Sequence, residues 1–205
     1  MARDEQMTEV HGFWFGDSIN DASAIPRRMR FWFGSDDQVD AQVGQLFGAL
    51  VGRARAGELE GWRKQPRSRL ALVLLLDQFP RNLFRGQPAA FASDAQALAI
   101  CEQSIEDGHL LTLTPIEQTF MLMPMQHAES RATQQRSVAE FEQLLARVDT
   151  TEREFFEGFV KYARMHKQII DRFGRFPHRN AILGRSDTNE ETTYLAGDAP
   201  RFGQR

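Results

Sequence analysis

The stretch Leu70-Ala-Leu-Val-Leu-Leu-Leu-Asp-Gln-Phe-Pro-Arg-Asn82 decides the fold. Its aliphatic first half would be apolar on every side of a helix, so that helix must lie at the centre of a bundle and be covered by others. Pro80 has no backbone N–H, and we expect it to interrupt the helix or to mark its end. Four polar residues gather at that point: Asp77, Gln78, Arg81 and Asn82.

A second proline turn repeats this pattern near the C-terminus, where Phe176-Pro-His-Arg-Asn180 resembles Phe79-Pro-Arg-Asn82. Helix ends that place arginine and asparagine beside free backbone N–H groups are natural sites for anions. Between Arg172 and Arg185, arginines alternate with apolar residues that would pin the loop to the core. We expect Asn180 to cap a short turn over 181–183, and we expect the two proline turns to meet in space.

Helix signals recur along the rest of the chain. Capping boxes are predicted at Ser35 with Gln38, at Thr114 with Glu117 and at Thr188 with Glu191. The longest helix is expected over roughly 151–173 and ends at Gly174. No segment shows sustained alternation of polar and apolar residues, so no strand is predicted. The sequence therefore predicts an all-α fold of antiparallel helix pairs, with 1–205 as a single domain.

Composition narrows the classes of function. The chain has 205 residues, 41% of them hydrophobic, and a net charge of −3. A nucleic-acid-binding surface would need a basic excess, so no nucleic acid is expected as a partner. Cys101 is the single cysteine, which excludes an internal disulfide and suits a reducing, cytoplasmic location. Residues 1–10 are polar with no signal-like core, and no apolar run is long enough to span a membrane.

Two histidines are expected to point inward. His127 falls on the apolar side of its predicted helix, and His166 shares a helical face with Phe159 and Ile170. An inward histidine is commonly a satisfied core residue, but two of them beside arginine-rich turns also suit a shared pocket. Asp77 near a helix C-terminus opposes the helix dipole and needs a cationic partner. General acid–base work by Asp77 with His127 or His166 is therefore one hypothesis.

Two other interpretations of these polar residues stay open. In the first, Arg81 or Arg179 pairs with Asp77, Glu129 or Asp171 and simply locks helices together. In the second, the histidines bind a metal, but the chain has no His-x-x-x-His or Cys-x-x-Cys spacing and the nearby arginines would repel a cation. Phosphate-loop, dinucleotide and nucleophile-elbow motifs are absent from the sequence, so neither a metal nor a cofactor is expected.

These motifs resemble the bacterial domain of unknown function 924 family. The resemblance rests on Leu74–Asn82, Ala92–Ala95, Pro124–Glu129 and Phe173–Arg185 with Glu190-Glu191, and it extends from residue 13 to near the C-terminus. It implies a tetratricopeptide-repeat-like, right-handed helical stack and no particular reaction. Matching motif positions are Asp77, Gln78, Arg81, Asn82, His127, Glu129, His166, Arg175, His178, Arg179 and Asn180.

The chain departs from the family pattern at two places. It has Gln126-His-Ala-Glu129 where the family commonly reads Met-His-Ser-Glu, and Asp187-Thr188 where the family commonly has Ser-Thr. A serine role beside the histidine is therefore not expected in this protein.

Two functions fit this sequence. In the first, a pocket lined by these residues binds a small phosphate or carboxylate ligand, with Arg179 as the main anchor. The predicted ligand contacts are Gln78, Arg81, Asn82, Glu129, Arg175, His178, Arg179 and Asn180. In the second, the protein is a helical scaffold that holds a partner protein or peptide along an open concave face. A pocket requires the unusual residues to converge, whereas a scaffold requires them to be spread along the face.

Overall fold

The computed structural model of the chain describes residues 3–200 and 202. Within these residues every regular element is a helix and no strand is present, which confirms the predicted all-α class. The α-helices are α1 (Arg3–Phe15), α2 (Ile25–Phe33), α3 (Asp37–Arg55), α4 (Pro66–Val73), α5 (Phe79–Leu83), α6 (Asp94–Glu106), α7 (Pro115–His127), α8 (Arg131–Arg147), α9 (Arg153–Phe173) and α10 (Asn189–Leu195). Short 3₁₀ turns lie at Gly16–Ile19, Ala22–Ala24, Glu60–Lys64, Pro88–Ala90, Leu110–Thr112 and Pro177–Arg179.

The aliphatic segment forms the central rod of the bundle, as predicted. Every side chain from Leu70 to Leu76 is buried. The rod consists of α4, a π-helical turn over Leu74–Gln78 and α5, and it contacts α1, α3, α6 and α7. Because other helices cover it on all sides, an apolar side chain at every position lowers the free energy of the folded state.

Pro80 does not end this rod, because the chain widens into the π turn ahead of it. The Phe79 N–H donates to the carbonyl of Leu74, five residues back. Pro80 itself cannot donate to the carbonyl of Leu76. The buried hydroxyl of Ser93 donates to that carbonyl instead, at 2.6 Å. The proline is therefore tolerated inside the rod because a neighbouring segment supplies a hydrogen bond.

The C-terminal end of α1 is capped by side chains of α2. The Trp32 Nε1–H donates to the carbonyl of Trp14 at 2.8 Å. The Arg28 guanidinium donates to the carbonyls of Phe15 and Phe13. These bonds satisfy carbonyls that have no partner inside α1. Trp14 and Trp32 each pack on Phe120 of α7, which ties the N-terminal helices to the core.

Two of the three predicted capping boxes are confirmed and one is wrong. Thr114 with Glu117 and Thr188 with Glu191 form both reciprocal bonds. At α3 the capping residue is Asp36 and not Ser35, because the Asp36 carboxylate accepts from the Gln38 N–H at 2.9 Å. The sequence offers a hydroxyl and a carboxylate at adjacent positions, and the carboxylate is also favoured by the helix dipole.

The remaining helices follow one another as packed pairs. Helices α6 and α7, α7 and α8, and α8 and α9 are in contact, and their short connections make them antiparallel neighbours. Helix α9 begins at Arg153 and ends at Phe173, and the following residue, Gly174, has a φ of 73° that suits a glycine. None of the helices in the described residues is long and apolar enough to cross a bilayer. The single-domain organisation and the tetratricopeptide-like handedness stay predictions.

Candidate functional site

A cavity of about 430 Å³ opens where the central rod, α2, α7 and α9 approach one another. Its polar lining comes mainly from the rod, the end of α7 and the 177–179 turn. Its apolar lining comes mainly from α2, α9 and the C-terminal segment. The lining residues are Met29, Trp32, Phe33, Gly34, Gln78, Arg81, Asn82, Arg85, Phe91, Met123, Gln126, His127, Phe159, Tyr162, Met165, His166, His178, Arg179, Pro200 and Phe202.

The two proline turns meet at this cavity, and one carboxylate joins them. The Arg81 guanidinium donates to both oxygens of Asp94, at 3.0 and 3.1 Å. Arg179 from the second turn donates to Asp94 at 3.3 Å. The expected approach of the two turns is therefore present in the structure. The sequence does not indicate Asp94 as this partner, because its position is that of an ordinary first residue of a helix.

The Arg179 guanidinium lies close to two aromatic rings. Its guanidinium carbon lies 4.5 Å from the ring centre of Phe91 and 4.6 Å from that of Phe176. Its Nε is buried and has no hydrogen-bond partner among the described residues. Burial, together with the positive charge of Arg81, lowers the pKa of Arg179 to about 10 even though Asp94 acts in the opposite direction. The positive charge of Arg179 is therefore only partly compensated within the protein.

Arg81 is the better compensated of the two arginines. Its Nη1 lies 3.2 Å from the Asp77 carboxylate and donates to the Asp77 carbonyl at 2.6 Å. Burial alone would lower the pKa of Arg81, but the charges of Asp77 and Asp94 outweigh it and raise that pKa. Arg81 therefore acts first as the partner of two carboxylates, and an incoming anion would gain less from it than from Arg179.

Asp77 and His127 form a buried pair at the wall of the cavity. The π turn places Asp77 fully inside the protein, and its carboxylate accepts from Nδ1 of His127 at 2.8 Å and from the Gln78 amide at 2.6 Å. Burial would raise the pKa of Asp77, but the charge of Arg81 and these hydrogen bonds hold it below its usual range. Burial and Arg81 also lower the pKa of His127. The imidazole is therefore neutral, with Nε2 as its acceptor.

His166 and His178 line the neighbouring wall. Nδ1 of His166 donates to the carbonyl of Tyr162 at 2.8 Å, which leaves Nε2 as an acceptor. The ring of Phe202 lies 4.1 Å from the His166 ring and 5.2 Å from the His178 ring, centre to centre. Burial lowers the pKa of each imidazole to about 3, with smaller contributions from neighbouring positive charges. Both histidines are therefore neutral at physiological pH.

Three predicted ligand contacts lie outside the lining of the cavity. Glu129 accepts from the Phe176 N–H and pairs with Arg185. Arg175 forms a two-pronged pair with Glu191 and also donates to the carbonyl of Ser186. These contacts hold the 174–191 segment against the body of the protein.

Asn180 is the third of these residues, and the expectation that it caps a turn over 181–183 is wrong. Its amide nitrogen donates to Asp187 and its amide oxygen accepts from Arg185. The side chain therefore links two later residues of the loop and does not cap a turn. Residues 181–184 form a turn with no helical N-terminus. The predicted anion cradle of backbone N–H groups at that point is therefore not formed.

Several lining residues gave no signal in the sequence. Gln126 is buried, and its Nε2 has no partner within the described part of the chain. The aromatic and methionine residues of α2 and α9 looked like ordinary core positions. Across residues 3–200 and 202, no three histidine, cysteine, aspartate or glutamate side chains are grouped to hold a metal ion. The polar lining instead offers donors to a negatively charged group.

Fold and cavity together define an all-α protein with a partly enclosed, arginine-containing pocket. The family model for bacterial proteins of unknown function (DUF924) matches residues 10–199, and the chain belongs to that family. A solved structure of a protein of unknown function from Agrobacterium tumefaciens is 34% identical, with a TM-score of 0.79, and the match covers 94% of this chain and 97% of that one. No curated protein matches the chain significantly.

Proposed function

We propose that this protein binds a small ligand with a negatively charged phosphate or carboxylate group in the cavity beside Arg179. The observation that carries this proposal is the charge of the lining. Among the described residues that line the cavity, three are arginines and none is an aspartate or a glutamate. The carboxylates that pair with these arginines are not part of the lining: Asp77 and Asp94 for Arg81, Asp94 for Arg179 and Asp40 for Arg85.

Unpartnered donors support the same conclusion. Nε of Arg179 and Nε2 of Gln126 are buried without a partner in the described residues, and both side chains line the cavity. A buried donor that lacks a hydrogen bond costs about 1–3 kcal/mol. A ligand oxygen that reaches either donor would accept a hydrogen bond from it and remove that cost.

Convergence of the polar residues favours a pocket over a scaffold. Gln78, Arg81, His127, His166 and Arg179 come from distant parts of the chain and line one cavity. A scaffold for a partner peptide would instead spread its distinctive residues along an open face. A cytoplasmic location remains the expectation from the single cysteine.

Replacing Arg179 with Ala tests the anion site. We expect the wild-type melting temperature to rise with at least one of phosphate, acetate, succinate, benzoate and octanoate, because a ligand that binds only the folded state stabilises it. We expect Arg179→Ala to abolish that rise and to remain folded, since Asp94 keeps its two bonds to Arg81. Thermal shift with each anion measures the first effect, and circular dichroism without ligand measures the second.

Arg164→Ala is the matched control. Arg164 is an exposed arginine that pairs with Glu142 and does not line the cavity. Its replacement should leave the anion response unchanged. If the wild type responds to none of the anions and Arg179→Ala mainly unfolds the protein, Arg179 is a structural residue and the proposal fails.

An enzymatic role is a second candidate, and the pairing of Asp77 with His127 favours it. A carboxylate that accepts from Nδ1 fixes the tautomer and leaves Nε2 free to take a proton from a bound molecule. His166 suits this task less well, because burial lowers its pKa to about 3 and the ring of Phe202 covers it. We therefore assign the role of general base to His127 and the role of orienting group to Asp77.

Acylation by diethyl pyrocarbonate measures whether Nε2 of His127 can reach a reactant. We expect mass spectrometry to find His127 modified faster than His166 at neutral pH, because the His127 side chain is partly exposed whereas His166 is buried against the ring of Phe202. Asp77→Asn should slow the modification, since the amide no longer fixes the tautomer. An unmodified His127 in folded wild-type protein would rule out the general-base role.

A further inference from the structure

We propose, on the basis of the anion site described above, that the ligand is an apolar carboxylic acid: one carboxylate joined to a hydrocarbon chain or ring. The carboxylate lies against Arg179 and Gln126, and the hydrocarbon part lies against the apolar wall formed by α2, α7 and α9. Both parts of this description follow from the lining of the cavity, which combines arginine and amide side chains with large apolar ones.

The charge balance favours a group with one negative charge. Arg81 already has Asp77 and Asp94 as partners, at 3.2 Å and at 3.0 Å. Arg179 has only one oxygen of the shared Asp94, at 3.3 Å. The cluster of Arg81, Arg179, Asp77 and Asp94 is formally neutral. A carboxylate would therefore add one uncompensated negative charge, whereas a phosphate dianion would add two. The two oxygens of a carboxylate also suit a planar guanidinium together with a side-chain amide.

A large part of the lining is apolar and comes from several helices. This apolar wall consists of Met29, Trp32, Phe33, Met123, Phe159 and Met165. Such a wall offers nothing to a small hydrated anion such as inorganic phosphate. It lowers the free energy of a bound hydrocarbon group by removing that group from water, and methionine side chains adapt to chains of different shape.

The mouth of the cavity is unusually apolar as well. Phe33 is 43% exposed and Tyr162 is 49% exposed, and both residues line the cavity. Large exposed apolar side chains around a pocket commonly mark a place where an apolar ligand enters. The volume of about 430 Å³ lies within the usual range for small-molecule sites.

A chain-length series of linear carboxylates tests this assignment. Acetate, butanoate, hexanoate, octanoate and decanoate are titrated into the wild-type protein by calorimetry. We expect the affinity to rise about threefold to fourfold for each added methylene until the cavity is full, because burial of one methylene contributes about 0.8 kcal/mol. Octanol has the hydrocarbon chain without the negative charge, and inorganic phosphate has the charge without the hydrocarbon chain. Each should bind much more weakly than octanoate.

Two variants locate the hydrocarbon part. Phe33→Ser removes an exposed ring from the apolar wall, so the fold should persist and the affinity for octanoate should fall severalfold while that for acetate stays the same. Leu111→Ser is the matched control, because Leu111 is 64% exposed and lies outside the cavity. It should bind octanoate as the wild type does.

The outcomes separate this inference from the anion site on which it rests. If phosphate or acetate binds as tightly as octanoate and depends on Arg179, the anion site stands and the apolar assignment is overturned. If octanol binds as tightly as octanoate and Arg179→Ala has no effect, the anion site is overturned. If neither phosphate nor any member of the series binds, both proposals are overturned. Equal loss of octanoate affinity in Phe33→Ser and Leu111→Ser would also refute the apolar assignment.

Discussion

Replacing Asp77 with Ala is expected to lower the free energy of unfolding by about 3–5 kcal/mol, the usual cost of removing one partner of a buried ion pair. The Asp77 carboxylate is fully buried and holds three groups: Arg81 at 3.2 Å, Nδ1 of His127 at 2.8 Å and the Gln78 amide at 2.6 Å. All three would be left in a dry environment with a weaker set of partners. Urea unfolding followed by circular dichroism measures the loss.

Two comparison variants separate charge from shape. Asp77→Asn keeps the size of the side chain but removes the negative charge. We expect it to lower the free energy of unfolding by most of the amount that Asp77→Ala does. Asp171→Ala removes a carboxylate that is 44% exposed and pairs with Lys167, and it should cost less than about 1 kcal/mol. A similar small effect from Asp77→Ala and Asp171→Ala would mean that the Asp77 network contributes nothing beyond an ordinary surface pair.

Lowering the pH below about 6.5 is expected to destabilise the protein progressively, well before most carboxylates are protonated. The pKa of His166 and that of His178 are lowered from 6.5 to about 3. Between these values the unfolded chain binds protons that the folded protein does not. The contribution of these histidines to the free energy of unfolding is therefore fully present above the unfolded pKa and is lost as the pH falls. Each histidine that stays neutral in the folded state contributes a slope of about 1.4 kcal/mol per pH unit.

His166→Phe provides the direct check of this pH dependence. The ring would lie among Phe176 and Phe202 and could not take up a proton. The free energy of unfolding, measured in urea at a series of pH values from about 6.5 downward, should depend on pH less steeply than in the wild type by close to one proton. His178→Phe should show the same reduction. An unchanged slope in both variants would show that these histidines do not control the acid sensitivity.

The central rod was predictable because its signal is local. A helix that is apolar on every side must lie at the centre of a bundle. The capping boxes at Thr114 and Thr188 each depend on two residues only three positions apart. The inward direction of His127 and His166 followed from helical periodicity for the same reason. The convergence of the two proline turns was expected from their similarity, and the coordinates agree with it.

The partners of the site were not predictable, because they come from distant parts of the chain. Nothing near Asp94 in the sequence indicates that it pairs with both Arg81 and Arg179. Pro80 looked like a helix end, since the sequence does not show that Ser93 supplies a hydrogen bond to the carbonyl of Leu76. A rule based on neighbouring residues fails where a distant residue supplies the missing hydrogen bond or charge partner.

The bond between Arg179 and Asp94 joins residues that are 85 positions apart in the chain. Closing so long a loop costs somewhat more conformational entropy than forming the contacts of the central rod with its neighbours, which are closer in sequence. During folding, the rod and the helices around it are therefore expected to form before the second proline turn docks. A chain still emerging from the ribosome would possess the core without the cavity, and the cavity would be completed only when the last thirty or so residues are available.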